Sequence, residues 1–186
     1  TYDRAGGARP YELNVSLPDL FGGLDDPDMP ARVVLAHLVM LGLAGIPGVY
    51  VNSLLATTND VEAVARTGGG RSINRGPVPA DAIPPADDWA RSIYAGIRHG
   101  ASVRRRHRAF HPDATQKVEH RGSLLRIRRS PVEGAAVDVV ANFGGAPAER
   151  PPDLGEFDLL VGRPVGRGPM SPWTVEWLSV MPGGVD

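Results

Sequence analysis

A chain of 186 residues with 42% hydrophobic side chains can bury a core of one or two domains. Its formal charge of −1 sets up no global field toward nucleic acid or an anionic membrane, and the absence of cysteine excludes disulfides and thiolate metal sites. The longest apolar run, 33–51, is broken by His37, Gly42, Gly45, Pro47 and Gly48 and falls short of a membrane span. No signal peptide is expected, and the cysteine-free composition fits a reducing, cytoplasmic compartment.

Residues 11–17 (YELNVSL) alternate polar and apolar side chains, which predicts a short strand. A loop with paired glycines and the run Asp25-Asp26-Pro27-Asp28 follows. Residues 31–44 begin after Pro30 and are almost entirely apolar, so they predict a helix buried on most sides and stopped by Gly45. Residues 47–51 (PGVYV) predict a buried strand, and helix plus strand make an α/β unit. Residues 52–85 predict a long polar loop. Residues 87–106 predict a second helix with Trp89, Ile93, Ile97 and Val103 inward. Five strand-like stretches follow, at 116–120, 123–129, 136–143, 158–161 and 173–180, with turns at Arg121-Gly122, Glu133-Gly134 and Gly144-Gly145. They predict a small antiparallel β-domain, with a boundary near 110–115.

The loop at 52–75 follows a predicted strand, and in α/β barrels that end of the strands carries the active site. Its amides, carboxylates and guanidinium groups suit a hydroxyl-rich ligand, and Arg71 offers a rigid fork of donors. Gly68, Gly69 and Gly70 would let backbone approach a ligand, but the spacing is not that of a phosphate-binding loop. A solvated loop with surface ion pairs is the alternative. His99, His107 and His111 lack the remaining ligands of a metal site. The basic runs Arg104-Arg105-Arg106-His107-Arg108 and Arg126-Ile127-Arg128-Arg129 carry no interleaved aromatics; the first is expected as a solvated helix end favoured by the dipole, the second as strand alternation. Asn14-Val15-Ser16 matches a glycosylation sequon inside the predicted strand.

Taken together, YELN at 11–14, LAGIPGVY at 43–50, SLL at 53–55, Asn59-Asp60, GRSINR at 70–75 and RAFHP at 108–112 resemble the sucrose phosphorylase-like group of the α-amylase superfamily. The Asn-Asp pair followed by GRSINR is the most specific of these, and the resemblance runs over about residues 8 to 180. It implies a fold of α/β plus all-β type: the C-terminal part of a (β/α)₈ TIM barrel over 1–110, then an antiparallel β-domain over 111–186. Residues 31–44 then correspond to barrel helix 7, 47–51 to strand 8 and 88–106 to helix 8. The resemblance further implies a retaining α-glucoside phosphorylase, with glucosyl passing to inorganic phosphate through a covalent glucosyl-enzyme. Its three carboxylates are expected upstream of Thr1, so no catalytic residue is assigned within the chain. Substrate contacts are implied for Arg71 as the glucosyl clamp, for Tyr11 and Glu12 in the segment near acceptor and phosphate, and for Asn59 and Asp60 in the loop after strand 8. Glu12 stands where sucrose-specific members carry glutamine, so donors of sucrose, glucosylglycerol and glucosylglycerate type all stay open. Arg75 is expected to be structural. No cofactor, metal, nucleic acid or membrane partner is expected; the partners are an α-glucoside and phosphate, with room for a homodimer. An α-glucoside hydrolase of the same superfamily and a non-catalytic sugar-binding or packing module are the alternatives. Trp173 and Trp177, four apart in a predicted strand, are expected on one face and in the core.

Overall fold

The structure is a computed structural model that describes residues 13–166 and 168–180. Tyr11 and Glu12 lie outside the described residues. Where 11–17 predicted a strand, residues 13–16 have no strand partner, and a short helix, α1 (Leu17–Leu20), begins instead. Two local chemistries override the alternation. Ser16 Oγ accepts from Asp19 N at 3.3 Å as an N-cap, and Pro18 in the first turn has the fixed φ that a helix start needs. The sequon therefore sits in a loop and not in a strand, with the Ser16 hydroxyl donating to Asp19 Oδ2 at 2.5 Å.

Helix α2 (Met29–Gly42) is the apolar helix of the sequence, and it stops a turn earlier than Gly45. Leu43 is extended there and ends it, its N–H donating to Met40 O. A Cβ on Gly42 would lie 2.8 Å from Val139 Cγ2, so the helix end presses directly on the sheet. Val33, Leu35, Leu38 and Leu41 are buried, and so is His37. Next come α3 (Val51–Leu54), α4 (Val61–Thr67) and a 3₁₀ turn at Gly70–Asn74, so the span expected as an unstructured loop is in fact built of short helices. Helix α5 (Asp88–Arg105) crosses α2 closely, because a Cβ at Gly100 would meet Leu38 Cδ2 at 2.1 Å. Of its expected inner positions Ile93, Ile97 and Val103 are buried and Trp89 is half-buried.

Of residues 47–51, expected as a strand, Val51 begins α3 and 47–50 are extended but have no hydrogen-bonded strand neighbour among the described residues. Their period-two pattern survives: Pro47 and Val49 are half-buried, whereas Ile46 is 89% and Tyr50 48% exposed. A strand is a cooperative object, and apolar alternation without a partner's N–H and C=O groups leaves only an extended segment.

The sheet contains β1 (Thr115–Arg121), β2 (Leu124–Ser130), β3 (Val137–Asn142), β4 (Phe157–Asp158), β5 (Arg163–Pro164) and β6 (Val175–Ser179), all antiparallel in the order β1-β2-β3-β6-β4-β5. One face carries Ile127, Val137, Val139 and Trp177 against Leu38, Leu41, Val103 and Phe110. The other face buries Leu124, Val140 and Leu178 beneath Met170. The strand expected at 158–161 shrinks to two residues because the Asp158 carboxylate accepts from Leu160 N and Trp177 N and turns the chain. Trp177 is a core residue, its ring 4.5 Å from that of Phe110. Trp173 is not in the strand. Its φ of +53° places it in the preceding turn, with the Arg32 guanidinium 4.4 Å from its ring.

In the first basic run Arg105, Arg106 and Arg108 are exposed as expected and Arg104 is the exception, and the second run alternates across β2 as expected. Arg104 does not stay in solvent: its guanidinium donates to the carbonyls of Leu41, Leu43, Gly45 and Phe110, the first three being acceptors in the last turn of α2 and just past it. Arg129 is fully buried on the helix-facing side of β2 and donates to His111 O and Ala114 O. Arg126 and Arg128 face the other way and share Asp138, with contacts of 2.8 and 3.3 Å.

The histidines also have structural partners. His99 Nε2 lies 2.6 Å from Leu160 O, His107 caps the 3₁₀ turn at Arg108–Phe110, and His111 Nδ1 accepts from Asp113 N. His37 Nδ1 lies 2.8 Å from Val33 O, one turn back. Burial holds the His37 imidazole below its usual range against the opposing pull of that carbonyl, and burial does the same at His107. A folded state that favours neutral imidazole binds fewer protons than the unfolded chain below pH about 6.5. Stability is therefore full above that pH and falls as the solution is acidified through it. The melting temperature is expected to drop between pH 7.5 and pH 5.5, and His37→Leu should flatten that drop. An equal drop in wild type and variant would contradict this assignment.

Candidate functional site

The polar span after the extended segment is held by a small set of backbone acceptors. Tyr50 Oη donates to Asn74 O at 3.1 Å, and Asn52 Nδ2 donates to Gly76 O at 2.9 Å. Asp60 N donates to Ile73 O at 2.7 Å. These three bonds tie the exit of the 3₁₀ turn to residues 50–60, so the turn at Gly70–Asn74 has a fixed platform. Thr67 Oγ1 and Ser72 Oγ, 2.7 Å apart, close it from the other end.

Asp60 does two jobs there. Its Oδ1 accepts from Ala63 N at 2.8 Å as the N-cap of α4, and its Oδ2 faces Gly76. Asn59 is a clip. Its N–H donates to Asp19 Oδ2 at 2.7 Å, and its Oδ1 accepts from Ser16 N at 2.8 Å. Residues 13–16, which directly follow the Tyr11-Glu12 pair, are thereby pinned to the loop. The glycine triplet serves the fold and not a ligand cradle: Gly68 has φ +68° and ends α4 as a left-handed cap, and a Cβ on Gly70 would lie 3.2 Å from Asn14 Nδ2.

Arg71 is exposed on the 3₁₀ turn, beside that Gly70–Asn14 contact. Arg75 is exposed too, and its side chain makes no hydrogen bond or ion pair among the described residues, which removes the structural role expected for it. Asn59 and Asp60 also line a cleft of about 750 Å³ between residues 52–62 and 76–90; Arg71 does not line it. The structure thus brings Asn59 and Asp60 together and places Arg71 outside their cleft. Sequence reasoning missed the Ser16–Asp19–Asn59 clip, although Ser16-x-x-Asp19 ahead of an apolar segment has the spacing of a helix cap. Among the described residues no group of three or more His, Asp and Glu side chains could hold a metal ion, and no helix is long and apolar enough to cross a membrane.

No family model matches the chain. Three curated relatives do. The glucosylglycerate phosphorylase of Escherichia coli K12 is 32% identical over 136 residues, 69% of this chain and 24% of the relative. That of Allomeiothermus silvanus is 34% identical over 138 residues, 68% and 24% of the two chains. That of Spirochaeta thermophila is 32% identical over 133 residues, 67% and 23%. The chain spans about a quarter of the length of these relatives. Among solved structures, the maltogenic amylase from S. marinus superposes with a TM-score of 0.63 at 18% identity, over 83% of this chain and 20% of that one. A trehalulose synthase mutant in complex with Tris gives 0.65 at 16% identity, over 90% and 42%. AmyP in complex with maltotriose gives 0.69 at 11% identity, over 90% and 38%. At these identities the superpositions speak for the fold alone. Sequence relatives and fold agree with the motif resemblance, and the chain belongs to the sucrose phosphorylase-like group of the α-amylase superfamily, to whose C-terminal part it corresponds.

Proposed function

We propose that the chain is part of a retaining α-glucoside phosphorylase that transfers a glucosyl unit between a small glucoside and inorganic phosphate. The observation that carries this is the identity of 32 to 34% to three glucosylglycerate phosphorylases over two thirds of the chain. Glucosylglycerate is accordingly the donor we favour over sucrose, in keeping with Glu12. In this proposal residues 1–110 belong to the barrel and 111–186 to the β-domain. The 3₁₀ turn at Gly70–Asn74 supplies one wall of the sugar site, with Arg71 as the clamp. The acid–base and nucleophilic carboxylates are assigned to the remainder of the enzyme, since retention needs two carboxyl groups facing one another across the scissile bond. Tyr11 and Glu12 keep their proposed place near acceptor and phosphate. Asn59 and Asp60 contribute through the clip and the helix cap that fix the wall, and through whatever face they still offer to sugar.

The test is product analysis on the full-length protein. Incubation of glucosylglycerate with phosphate is expected to release glucose 1-phosphate in proportion to glycerate. Release of free glucose at the same rate with and without phosphate would make it a hydrolase. Preference for sucrose by tenfold or more would reject the donor assignment.

A further inference from the structure

Helix α1 opens with a cap that is split between two distant parts of the chain. In an ordinary capping box the carboxylate at the third helical position accepts from the backbone N–H of the capping residue, and the motif closes within four residues. Asp19 stands at that third position, with Ser16 as the capping residue. Its Oδ2 accepts instead from the Ser16 hydroxyl at 2.5 Å and from Asn59 N at 2.7 Å. The Ser16 N–H, which the box would satisfy, donates to Asn59 Oδ1 at 2.8 Å. Ser16 is 4% exposed, so a partner for that N–H has to come from the protein. Asn59 is thus inserted between the two halves of a local motif, 40 residues from Asp19 and 43 from Ser16. A cap as such needs no distant residue, and the insertion couples two segments that the chain keeps apart.

The next residue carries the coupling onward. Asp60 N donates to Ile73 O at 2.7 Å, within the 3₁₀ turn at Gly70–Asn74. The same turn is met from the other side by Asn14, whose Nδ2 stands 3.2 Å from where a Cβ on Gly70 would lie. Residues 13–16 and the turn are therefore joined twice, once through Asn59-Asp60 and once through the Asn14–Gly70 contact. Arg71 lies between the two joints, one residue after Gly70 and two before Ile73. Its position depends on both, although its side chain takes part in neither.

We infer that Asn59 is a positioning residue for Arg71. By completing the split cap it fixes residues 13–16 against the turn, and the turn then presents the guanidinium in one orientation. Ser16 and Asp19 are the other members of this device. The inference rests on the proposed placement of Arg71 at the glucosyl unit and adds the residues that hold it there.

The experiment is a double-mutant cycle on the full-length enzyme, with glucosylglycerate and phosphate as substrates. Asn59→Ala keeps the Ser16 hydroxyl cap and the backbone N–H of residue 59, and removes only the acceptor for Ser16 N. It is expected to lower kcat about tenfold with KM for the glucoside within about threefold, since misorientation is felt in the reacting complex more than in binding. In the Arg71→Ala background the same substitution should cost less than about threefold, because the group it positions is gone. Asp19→Ala should reproduce the Asn59→Ala loss, whereas Asp19→Asn, which keeps an oxygen for both donors, should stay within about threefold of wild type. A merely structural role gives losses that multiply, so an equal loss from Asn59→Ala in both backgrounds would overturn the inference. An Asn59→Ala enzyme that matches wild type, or equal losses in Asp19→Ala and Asp19→Asn, would overturn it as well. Release of free glucose irrespective of phosphate would instead reject the phosphorylase proposal, and the cycle would then be read on the rate of hydrolysis.

Discussion

Arg71→Ala in the full-length enzyme is expected to lower kcat/KM by roughly two to four orders of magnitude while the protein stays folded. The fold supplies the second half of that statement. Arg71 is exposed on a 3₁₀ turn whose shape is held by Tyr50, Asn52 and Asp60, all through backbone carbonyls of the turn and its exit. None of these three bonds uses the Arg71 side chain. The first half follows from the proposed role. A guanidinium facing a neutral glucosyl unit acts by orientation, and each charged-group hydrogen bond contributes about 1.5–3 kcal/mol. Two such bonds amount to the stated loss at about 1.4 kcal/mol per decade of rate. Arg71→Lys should not rescue it, since one ammonium cannot reproduce the fork. Arg75→Ala is the control: exposed and unbonded, it should stay within threefold in activity and unchanged in melting temperature. A well-folded Arg71→Ala enzyme within about threefold of wild type would remove Arg71 from the sugar site.

Arg104→Ala is expected to be the most damaging substitution for stability, by about 3–5 kcal/mol. One guanidinium satisfies the carbonyls of Leu41, Leu43, Gly45 and Phe110, joining the end of α2 and the start of the extended segment to the connection into the sheet. Hydrogen bonds from a charged donor are worth about 1.5–3 kcal/mol each. Four would exceed the stability of most domains, and partial exposure of the group discounts the sum to the figure given. Burial and the nearby charge of Arg129 both disfavour the charged form of Arg104, so the cation is retained against a cost that its carbonyl partners offset. Arg104→Lys should recover less than half of the loss, because an ammonium has three donors on one atom and cannot span acceptors on both sides of the α2 terminus. Urea unfolding of the two variants measures this directly. A loss below about 1 kcal/mol for Arg104→Ala would mean that water replaces the guanidinium at the helix end.

How much of this was legible in the amino-acid sequence follows the range of the forces involved. Helices α2 and α5 and strands β1 to β3 could be read from period alone, because apolar spacing is a local record of which face is buried. The family could be read from short motifs for the same reason: GRSINR and Asn59-Asp60 are contiguous in the chain. Residues 13–17 went wrong over competing local signals, with the Ser16 cap and Pro18 outweighing an alternation of apolar side chains. Residues 47–51 form no strand among the described residues, because strand formation depends on a neighbour that no local pattern supplies. Arg104, at the head of the first basic run, went wrong at a longer range still. Spacing cannot tell that Arg104 will meet Leu41 O, 63 residues back, or that Arg129 on one face of β2 will find His111 O and Arg126 and Arg128 on the other will find Asp138. Asn59 is the same case at the candidate site. The resemblance implies it as a sugar contact, and what only the tertiary structure shows is that its backbone N–H and side-chain oxygen hold Asp19 and Ser16, 40 and 43 residues away. The chain thus determines by itself the two long helices, the main strands and which span carries polar chemistry. Only the packed structure decides which of those polar groups are consumed by the fold and which are left to face a ligand, because each hydrogen bond partner is set by the meeting of elements distant in the sequence.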